Sequence, residues 1–273
     1  HDHQHQTAGV RLRRMIGNPL SQLDPFIFLD EFKSENVRDY GAGFPDHPHR
    51  GFEAITYMLA GIMEHKDHKG HHNVLSEGCA QIMTAGRGIV HSEMLKGDSN
   101  GLIWGFHLWI NLPRKNKMME PRYNFVPADK VPVVVDQFRG SRSKIICGEY
   151  LGQRGPIFDV VVNPIIMDVV MPPGTSFSID LPSNHAAYIY VYRGSGEFGP
   201  ITNPTSLKEP HMGIFECLAN SNIVGSFSEG ITTSCIEATS SEGCGFFFLS
   251  GPQIKEPIAR HGPYVCYYSF LQV

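Results

Sequence analysis

The chain has 273 residues, 41% of them hydrophobic and 18% charged, and a formal net charge of −4. This composition is that of a globular protein, and the length suits one large domain or two of ordinary size. The slightly acidic balance argues against a protein that binds nucleic acid through a broad basic surface, so we expect no direct nucleic-acid contact. The sequence contains no run of about 18 apolar residues, so no membrane span is predicted.

Two compositional features bear on fold and compartment. The 28 glycines and 19 prolines indicate many turns between short strands. The six cysteines are scattered and form no CxxC pair, which favours reduced thiols inside a cell over a disulfide framework.

The first predicted strands lie near the N-terminus. Val10–Gly17 alternates apolar and polar or basic residues, and Phe26–Leu29 is an apolar run that follows Pro25. Period-two alternation and a short apolar run bounded by proline are both typical of strands.

The stretch Gly43–Gly61, GFPDHPHRGFEAITYMLAG, carries the first candidate metal ligands. His47 and His49 stand one residue apart, and Pro45 and Pro48 keep the approach to them extended. Residues i and i+2 of a strand point to the same face, so both imidazoles can project inward.

The following segment predicts a hairpin. Ala54–Leu59 is apolar and β-prone, and we expect a hairpin at Gly61 with residues 62–75 as the return strand. That return segment holds four histidines, His65, His68, His71 and His72. Their position around Gly70 favours a solvated hairpin tip, with a second metal site as the alternative.

A second candidate ligand pair follows in Thr84–Glu93, TAGRGIVHSE, where His91 stands two residues before Glu93. Two antiparallel strands carrying this pair and the pair His47 and His49 would bring three imidazole nitrogens and one carboxylate to a single ion inside a barrel. The spacing therefore predicts a metal site with four protein ligands.

One further histidine lies in a predicted strand, GLIWGFHLWINLP. Strand alternation places His107 and Trp109 on one face and Phe106 and Leu108 on the other. His107 either lines a pocket or is hydrogen-bonded within the core or behind the ligands.

The second half of the chain again predicts strands but repeats no ligand set. Residues 115–132 are polar and contain the connection between the halves, after which Tyr190–Gly194 echoes Thr56–Gly61. We therefore predict two domains, an N-terminal metal-binding barrel over residues 1–125 and a duplicated barrel without metal ligands over residues 126–273.

With HPHRGFEAITYMLAG, TAGRGIVHSE, FHLWINLP and KMMEPRY in view, the chain closely resembles the pirins, a family of the cupin superfamily. The match covers almost the whole length, and its motifs are long and specific. The resemblance implies an all-β fold of two tandem cupin barrels, of the double-stranded β-helix or jelly-roll type, with few short helices. It also implies a metal in the N-terminal barrel, usually iron, whose ligands on the matching positions are His47, His49, His91 and Glu93.

The pirin resemblance implies two kinds of activity. Several pirins open the flavonol ring of quercetin with dioxygen and release carbon monoxide, so this chain is expected to be a quercetin 2,3-dioxygenase that acts on a flavonol-like molecule. The animal protein is described as a nuclear transcriptional coregulator, so the alternative is a non-catalytic, iron-dependent coregulator that binds a transcription factor. The resemblance further leads us to expect a monomer located in the nucleus and cytoplasm.

The ligand types leave the metal open. Imidazole accepts iron, nickel, copper and zinc alike, so iron is expected from the resemblance, with nickel, copper, manganese or zinc as alternatives. Glu93 is the candidate catalytic base for the flavonol 3-hydroxyl. Phe44, Phe52 and Met58 are expected to form apolar walls, and Glu53, where many cupins place another ligand, is expected to play a supporting or structural role.

The sequence departs from the family pattern at a few positions. His107 stands where pirins usually have glutamine, and Cys79 stands where they usually have aspartate. The last residues, GPYVCYYSFLQV, differ from the GPFVMNT of the family and the acidic helix that follows it.

Overall fold

The computed structural model describes residues 4–7, 9–17, 23–200, 202–215, 234–261 and 264–267. These residues form 24 strands and three 3₁₀ helices, with no α-helix among them. The prediction of an all-β chain with few short helices is confirmed. Within the described part of the chain, no helix is long and apolar enough to cross a membrane.

The chain divides into two compact units. The first unit runs to Val131 and also contains Val160–Val162 and the segment from Ile254 onward, whereas the second comprises Pro132–Asp159 and Asn163–Gln253. The predicted domains, 1–125 and 126–273, differ from these units because two later segments of the chain belong to the first unit.

Direct contacts tie both later segments to the first unit. The carboxylate of Glu53 accepts a hydrogen bond from the backbone N–H of Val161 at 2.9 Å. The N–H of Val265 donates to the carbonyl of Arg50 at 2.9 Å, and its side chain is buried in the same apolar cluster as Phe52. Most of the divergent C-terminal sequence lies outside the described residues, but Tyr264–Tyr267 forms a strand of this unit.

The first unit contains the following elements. Its strands are β1 (Gln4–Thr7), β2 (Val10–Ile16), β3 (Phe26–Ser34), β4 (Phe44–His49), β5 (Phe52–Ala60), β6 (Ile62–Asp67), β7 (His72–Leu75), β8 (Ala80–Thr84), β9 (Ile89–Lys96), β10 (Ile103–Asn111), β11 (Arg122–Val126), β23 (Ile258–His261) and β24 (Tyr264–Tyr267). Its 3₁₀ helices are Val37–Asp39, Arg114–Asn116 and Ala128–Lys130.

Among its described residues, the second unit contains strands and no helix. They are β12 (Val133–Val135), β13 (Arg142–Cys147), β14 (Glu149–Tyr150), β15 (Gln153–Arg154), β16 (Ile165–Met171), β17 (Thr175–Leu181), β18 (His185–Phe198), β19 (Thr205–Lys208), β20 (His211–Phe215), β21 (Ser234–Ser240) and β22 (Cys244–Pro252).

Two antiparallel sheets form most of the first unit. One has the strand order β1-β2-β3-β10-β5-β8-β11, and the other has the order β4-β9-β6-β7. Their inner faces meet through side chains, since Gln81 of β8 donates to Glu93 of β9 at 3.1 Å. The predicted hairpin at Gly61 is wrong, because β5 belongs to the first sheet and β6 to the second, and the chain changes sheet at this glycine.

Alternation along β9 decides which side chains enter the interior of the first unit. Ile89, His91, Glu93 and Leu95 are buried, whereas the residues between them are exposed or partly exposed. The two apolar members pack into separate core clusters, and the two polar members lie between them in the strand. The strand therefore carries its polar pair into an otherwise apolar interior.

The second unit has a nine-stranded sheet system built along the order β12-β13-β16-β22-β18-β21-β17. Its interior is one apolar cluster that includes Met167, Phe177, Phe198, Phe246 and Phe248. Among the residues described in this unit, no three histidine, cysteine or acidic side chains come together at metal-binding distance.

Candidate metal centre

Strands β4 and β9 bring three histidines together. The strands pair antiparallel, with His47 directly opposite His91 and His49 opposite Ile89. The ligating nitrogens of His47, His49 and His91 all lie within 4.8 Å of one another. The convergence predicted from the two sequence pairs is thus present for the three imidazoles.

Glu93 reaches this cluster through His91. Its carboxylate belongs to a second group with His91 and His65, whose ligand atoms also lie within 4.8 Å of one another. His91 is common to both groups, so it stands at the centre of the polar interior. The inclusion of His65 was not predicted, because its segment was interpreted as a solvated hairpin tip.

In His47 and in His91, Nε2 is the nitrogen available to a metal. His47 Nδ1 donates to the carbonyl of Pro45 at 2.8 Å, so its Nε2 carries the lone pair. His91 Nε2 is buried and has no hydrogen-bond partner within the described part of the chain. A buried polar atom without a partner is uncommon, and an ion would provide the missing interaction.

Electrostatics also favour neutral imidazoles. Burial lowers the pKa of His47, and burial together with neighbouring histidines lowers the pKa of His91 well below its usual value. Metal ions bind the neutral imidazole, so no proton has to be displaced from these rings at neutral pH.

The donor set fits a divalent ion. Two ligand atoms at about 2.1 Å from one ion are at most about 4.2 Å apart, and the three imidazole nitrogens, all within 4.8 Å of one another, lie close to that limit. Three imidazoles with an adjacent carboxylate are a donor set that iron, nickel, copper and zinc all accept. His47, His49 and His91 would hold the metal, and Glu93, which lies in a second group with His91, is the candidate fourth ligand.

Glu93 is buried and held from the opposite sheet. Gln81 donates from Nε2 to the Glu93 carboxylate at 3.1 Å, and Tyr123 donates its hydroxyl proton to Gln81 Oε1 at 3.0 Å. Burial raises the pKa of Glu93 to about 7, although the hydrogen bond from Gln81 acts in the opposite direction. In the metal-free protein this carboxyl group can thus accept and release a proton near neutral pH.

Aromatic rings form one wall of the centre. The His49 ring lies edge-on to Phe52 and to Trp109, with centroids 5.1 and 5.0 Å apart, and Phe52 stacks on Trp109 at 4.1 Å. Of the other predicted wall residues, Phe44 lies 6.4 Å from the His47 ring, whereas Met58 packs in a separate apolar cluster. Trp109 was not predicted as a wall residue, although strand alternation places it on the same face as His107.

His107 lies behind this wall and is not a ligand. Its Nε2 accepts a hydrogen bond from Trp109 Nε1 at 2.7 Å, so Nδ1 carries the proton and donates to Thr56 Oγ1 at 2.9 Å. Burial lowers the pKa of His107 to about 3. Of the two interpretations left open, the hydrogen-bonded supporting histidine is the one that the structure contains.

Glu53 is fully engaged in structural contacts. Its Oε1 accepts from Thr84 at 2.7 Å and from Arg122 at 3.3 Å, and its Oε2 accepts from the Val161 N–H. These partners occupy both oxygens, which agrees with the expected supporting role.

Comparisons with known proteins establish the family. A family model for pirin matches residues 9–110, and one for the pirin C-terminal cupin domain matches residues 166–268. A pirin-like protein of Caulobacter vibrioides is 39% identical over 260 residues, which cover 94% of this chain and 87% of that protein. The chain belongs to the pirin family.

Solved structures agree with this fold. A quercetin 2,3-dioxygenase from Acinetobacter baumannii matches with a TM-score of 0.80 at 25% identity, covering 98% of this chain and 89% of that one. The bacterial pirin YhhW of Escherichia coli, solved in complex with nickel(II), matches with a TM-score of 0.65 at 18% identity, covering 92% and 95% of the two chains. The predicted pair of cupin barrels is thus confirmed.

Proposed function

We propose that this pirin is a metal-dependent quercetin 2,3-dioxygenase that opens the ring of a quercetin-like flavonol with dioxygen and releases carbon monoxide. The observation that carries the proposal is the cluster of largely buried imidazoles of His47, His49 and His91, with the protonatable carboxyl group of Glu93 beside His91. The likeness to a quercetin 2,3-dioxygenase from Acinetobacter baumannii supports the same assignment.

The proposed metal is iron, with nickel, copper, manganese or zinc as alternatives. The bacterial pirin YhhW was solved in complex with nickel(II), which shows that a protein of this fold can take up a divalent ion. When bound, the ion would act as a Lewis acid for the flavonol oxygen and as a point of attachment for dioxygen.

Glu93 is the proposed catalytic residue. Its carboxylate takes the proton from the flavonol 3-hydroxyl, which leaves the substrate as the anion that reacts with dioxygen. Gln81 Nε2–H donates to one oxygen of this carboxylate, which fixes the group and leaves the lone pairs of the other oxygen for the metal or the hydroxyl proton. Tyr123 in turn fixes the amide of Gln81, which keeps the donor pointed at Glu93.

The aromatic wall is the proposed contact for the flavonol rings. Phe52 and Trp109 are stacked and ordered before substrate arrives, and since Phe52 has no exposed surface, the flavonol would meet the exposed edge of Trp109. A flat aromatic substrate placed against such a surface loses little conformational entropy and displaces water from the reacting atoms.

The test is anaerobic loading with ferrous iron, followed by quercetin and then oxygen. We expect loss of the flavonol absorbance with release of carbon monoxide, and loss of turnover in His91→Ala and Glu93→Gln. His211→Ala, at an exposed position of β20, is the matched histidine control and should retain full activity. Absence of turnover at full metal occupancy would refute the enzymatic proposal.

The coregulator alternative uses the same metal centre, but its test measures binding of a partner protein instead of turnover. In this alternative we propose a protein of the nucleus and cytoplasm that binds a transcription factor with an affinity that depends on the iron oxidation state. Equal binding by the ferrous, ferric and metal-free forms would exclude this redox switch.

A further inference from the structure

The hairpin of β6 and β7 carries a hydrogen-bonded chain from the surface to the metal centre. Along β6, Met63 and His65 are buried, whereas Glu64 is partly exposed and Lys66 exposed. His65 lies directly opposite Glu93 in the neighbouring strand and has no exposed surface. The expectation of a solvated tip is therefore wrong for His65, which faces the ligands.

Asp67 is the acceptor at the centre of this chain. Its Oδ1 accepts from the backbone N–H groups of Lys69 and His71 at 2.9 and 3.1 Å. Its Oδ2 faces His71 Nδ1 at 2.8 Å and His65 Nε2 at 3.3 Å. Each oxygen of Asp67 thus has two hydrogen-bond partners, which is the pattern of an ionised carboxylate that can only accept. Burial raises the pKa of Asp67, but the hydrogen bonds from His71 and His65 lower it, in agreement with this pattern.

The carboxylate fixes the tautomer of His65. Because Asp67 only accepts, the proton of the neutral His65 ring lies on Nε2, and Nδ1 carries the lone pair. The ring is held in this orientation by stacking on Tyr123, with centroids 4.3 Å apart and the planes 14° from parallel. Nδ1 of His65 is therefore a hydrogen-bond acceptor for the neighbouring side chain.

Beyond His65 Nδ1 lies His91 Nδ1, at 3.5 Å. The contact is long, and neither nitrogen has another hydrogen-bond partner among the residues that the structure describes. With an acceptor on His65, only a proton on His91 Nδ1 makes the contact attractive. The lone pair of His91 then lies on Nε2, the buried nitrogen that has no partner.

We propose that Asp67, acting through His65, selects the Nδ1–H tautomer of His91 and thereby presents the Nε2 lone pair of His91 to the metal. Both are positioning residues, and the inference rests on the metal site of the proposed function. Carboxylate–histidine–metal arrangements normally contain one histidine. Here a second imidazole, that of His65, lies between the carboxylate and the ligand, and the direction of its two hydrogen bonds is set by the carboxylate.

Asp67→Asn tests whether Asp67 sets the direction of the hydrogen bonds along this chain. The two backbone donors retain the side-chain oxygen at the Oδ1 position, so the new amide nitrogen takes the place of Oδ2 and donates to His65 Nε2. His65 then carries its proton on Nδ1, and His91 is left with its proton on Nε2. We expect nickel(II) to bind about 10- to 100-fold more weakly to this variant.

Variants of His65 distinguish the effect of its hydrogen bonds on metal affinity from the effect of its packing. In His65→Gln the amide oxygen can accept from His91 and the amide N–H can donate to Asp67, so we expect nickel(II) affinity within about threefold of the wild type. His65→Leu keeps comparable bulk but neither function, and should weaken binding about as much as Asp67→Asn. Asp129→Asn, an exposed aspartate of the same unit, is the matched charge control and should bind as the wild type does.

Two measurements decide the inference. Long-range ¹⁵N–¹H spectra of histidine-labelled, metal-free protein should show His91 protonated on Nδ1 in the wild type and in His65→Gln, and on Nε2 in Asp67→Asn. Competition titration with nickel(II) gives the affinities, and thermal unfolding confirms that each variant is folded. A wild-type His91 protonated on Nε2, a folded Asp67→Asn variant with unchanged tautomer and affinity, or coordination of nickel by His65 itself would overturn the inference.

The same design separates the inference from the proposed function. A wild-type protein that binds no metal would refute the metal site, whereas the tautomer of His91 is read without metal and still decides the role of Asp67. If the protein binds metal through His47, His49 and His91 but its affinity and the tautomer of His91 are unchanged in Asp67→Asn, the inference is refuted and the metal site is not.

Discussion

At the scale of single residues, His107 shows how a buried histidine differs from a ligand. Its Nε2 accepts from Trp109 and its Nδ1 donates to Thr56, so the neutral ring satisfies both neighbours. Burial, together with the charges of His47 and Arg14, lowers the pKa of His107 to about 3. A second proton would also place two donors face to face at Trp109, which disfavours the imidazolium in the same direction. By contrast, Nε2 of His91 has no hydrogen-bond partner within the described part of the chain, which leaves this nitrogen available to an ion.

This arrangement predicts acid sensitivity that His107→Gln should remove. Because the folded pKa of His107 lies below the unfolded value of about 6.5, the unfolded chain binds an additional proton between these values, and the free energy of unfolding falls as pH falls through this window. Glutamine, which pirins usually have here, can accept from Trp109 and donate to Thr56 without titrating. We expect the free energy of unfolding of His107→Gln to gain about 2 kcal/mol relative to the wild type between pH 7 and pH 4.5.

Tryptophan fluorescence during urea denaturation measures this difference for the correct unit. Both tryptophans of the chain, Trp104 and Trp109, lie in the first unit, so the signal does not report on the second. A difference in free energy between the two proteins that stays constant from pH 7 to pH 4.5 would contradict the assigned role of His107.

At the scale of elements, the pairing of β4 with β9 could be predicted from sequence because both strands carry their polar residues two apart. The same period was present in β6, where Met63, His65 and Asp67 alternate with Glu64 and Lys66, but the charged residues and nearby glycine indicated a solvated turn. His65 is buried because the chain passes to the second sheet at Gly61, so that β6 pairs with β9. Such a change of sheet has no local sequence pattern, so it could not be predicted.

The turn after β4 gives a prediction at this scale. Gly51 has φ of +84°, and a Cβ built there would lie 1.8 Å from the carbonyl oxygen of Val265. Gly70 also has a positive φ, +91°, but a Cβ there would meet nothing within 4 Å. Gly70→Ala should therefore cost only the backbone strain of about 1 kcal/mol, whereas Gly51→Ala should cost at least twice that, because β24 must move away from Arg50.

Urea denaturation followed by tryptophan fluorescence gives both costs, and nickel(II) titration extends the test to the site. Gly51 follows His49 by two residues, so displacement of this turn should also weaken metal binding, while Gly70→Ala should leave it unchanged. Equal destabilisation by the two alanines would mean that β24 does not support the turn.

At the scale of the whole molecule, the sequence indicated a duplicated β fold with ligands in one half, and the structure adds how the chain is divided. The segment from Ile254 onward returns to the first unit, where Val265 fills a buried position beside Phe52. No local pattern distinguishes this segment from the strands before it, so a single boundary was the simplest prediction. The interior of the second unit is filled by phenylalanine and other apolar side chains. The candidate metal ligands therefore all lie in the first unit.

This division predicts where metal binding stabilises the chain. A ligand that binds only the folded state adds about 2.7 kcal/mol when its concentration is 100 times its dissociation constant, which corresponds to about 100-fold slower exchange of amides that open with the whole unit. Hydrogen-exchange mass spectrometry with nickel(II) should show this slowing in β4, β6 and β9, and no change in β16 and β22. In His91→Ala the effect should disappear from the first unit as well. Slowing of comparable size in β16 and β22 of the wild type would contradict the assignment of the metal to the first unit, since every proposed ligand lies there.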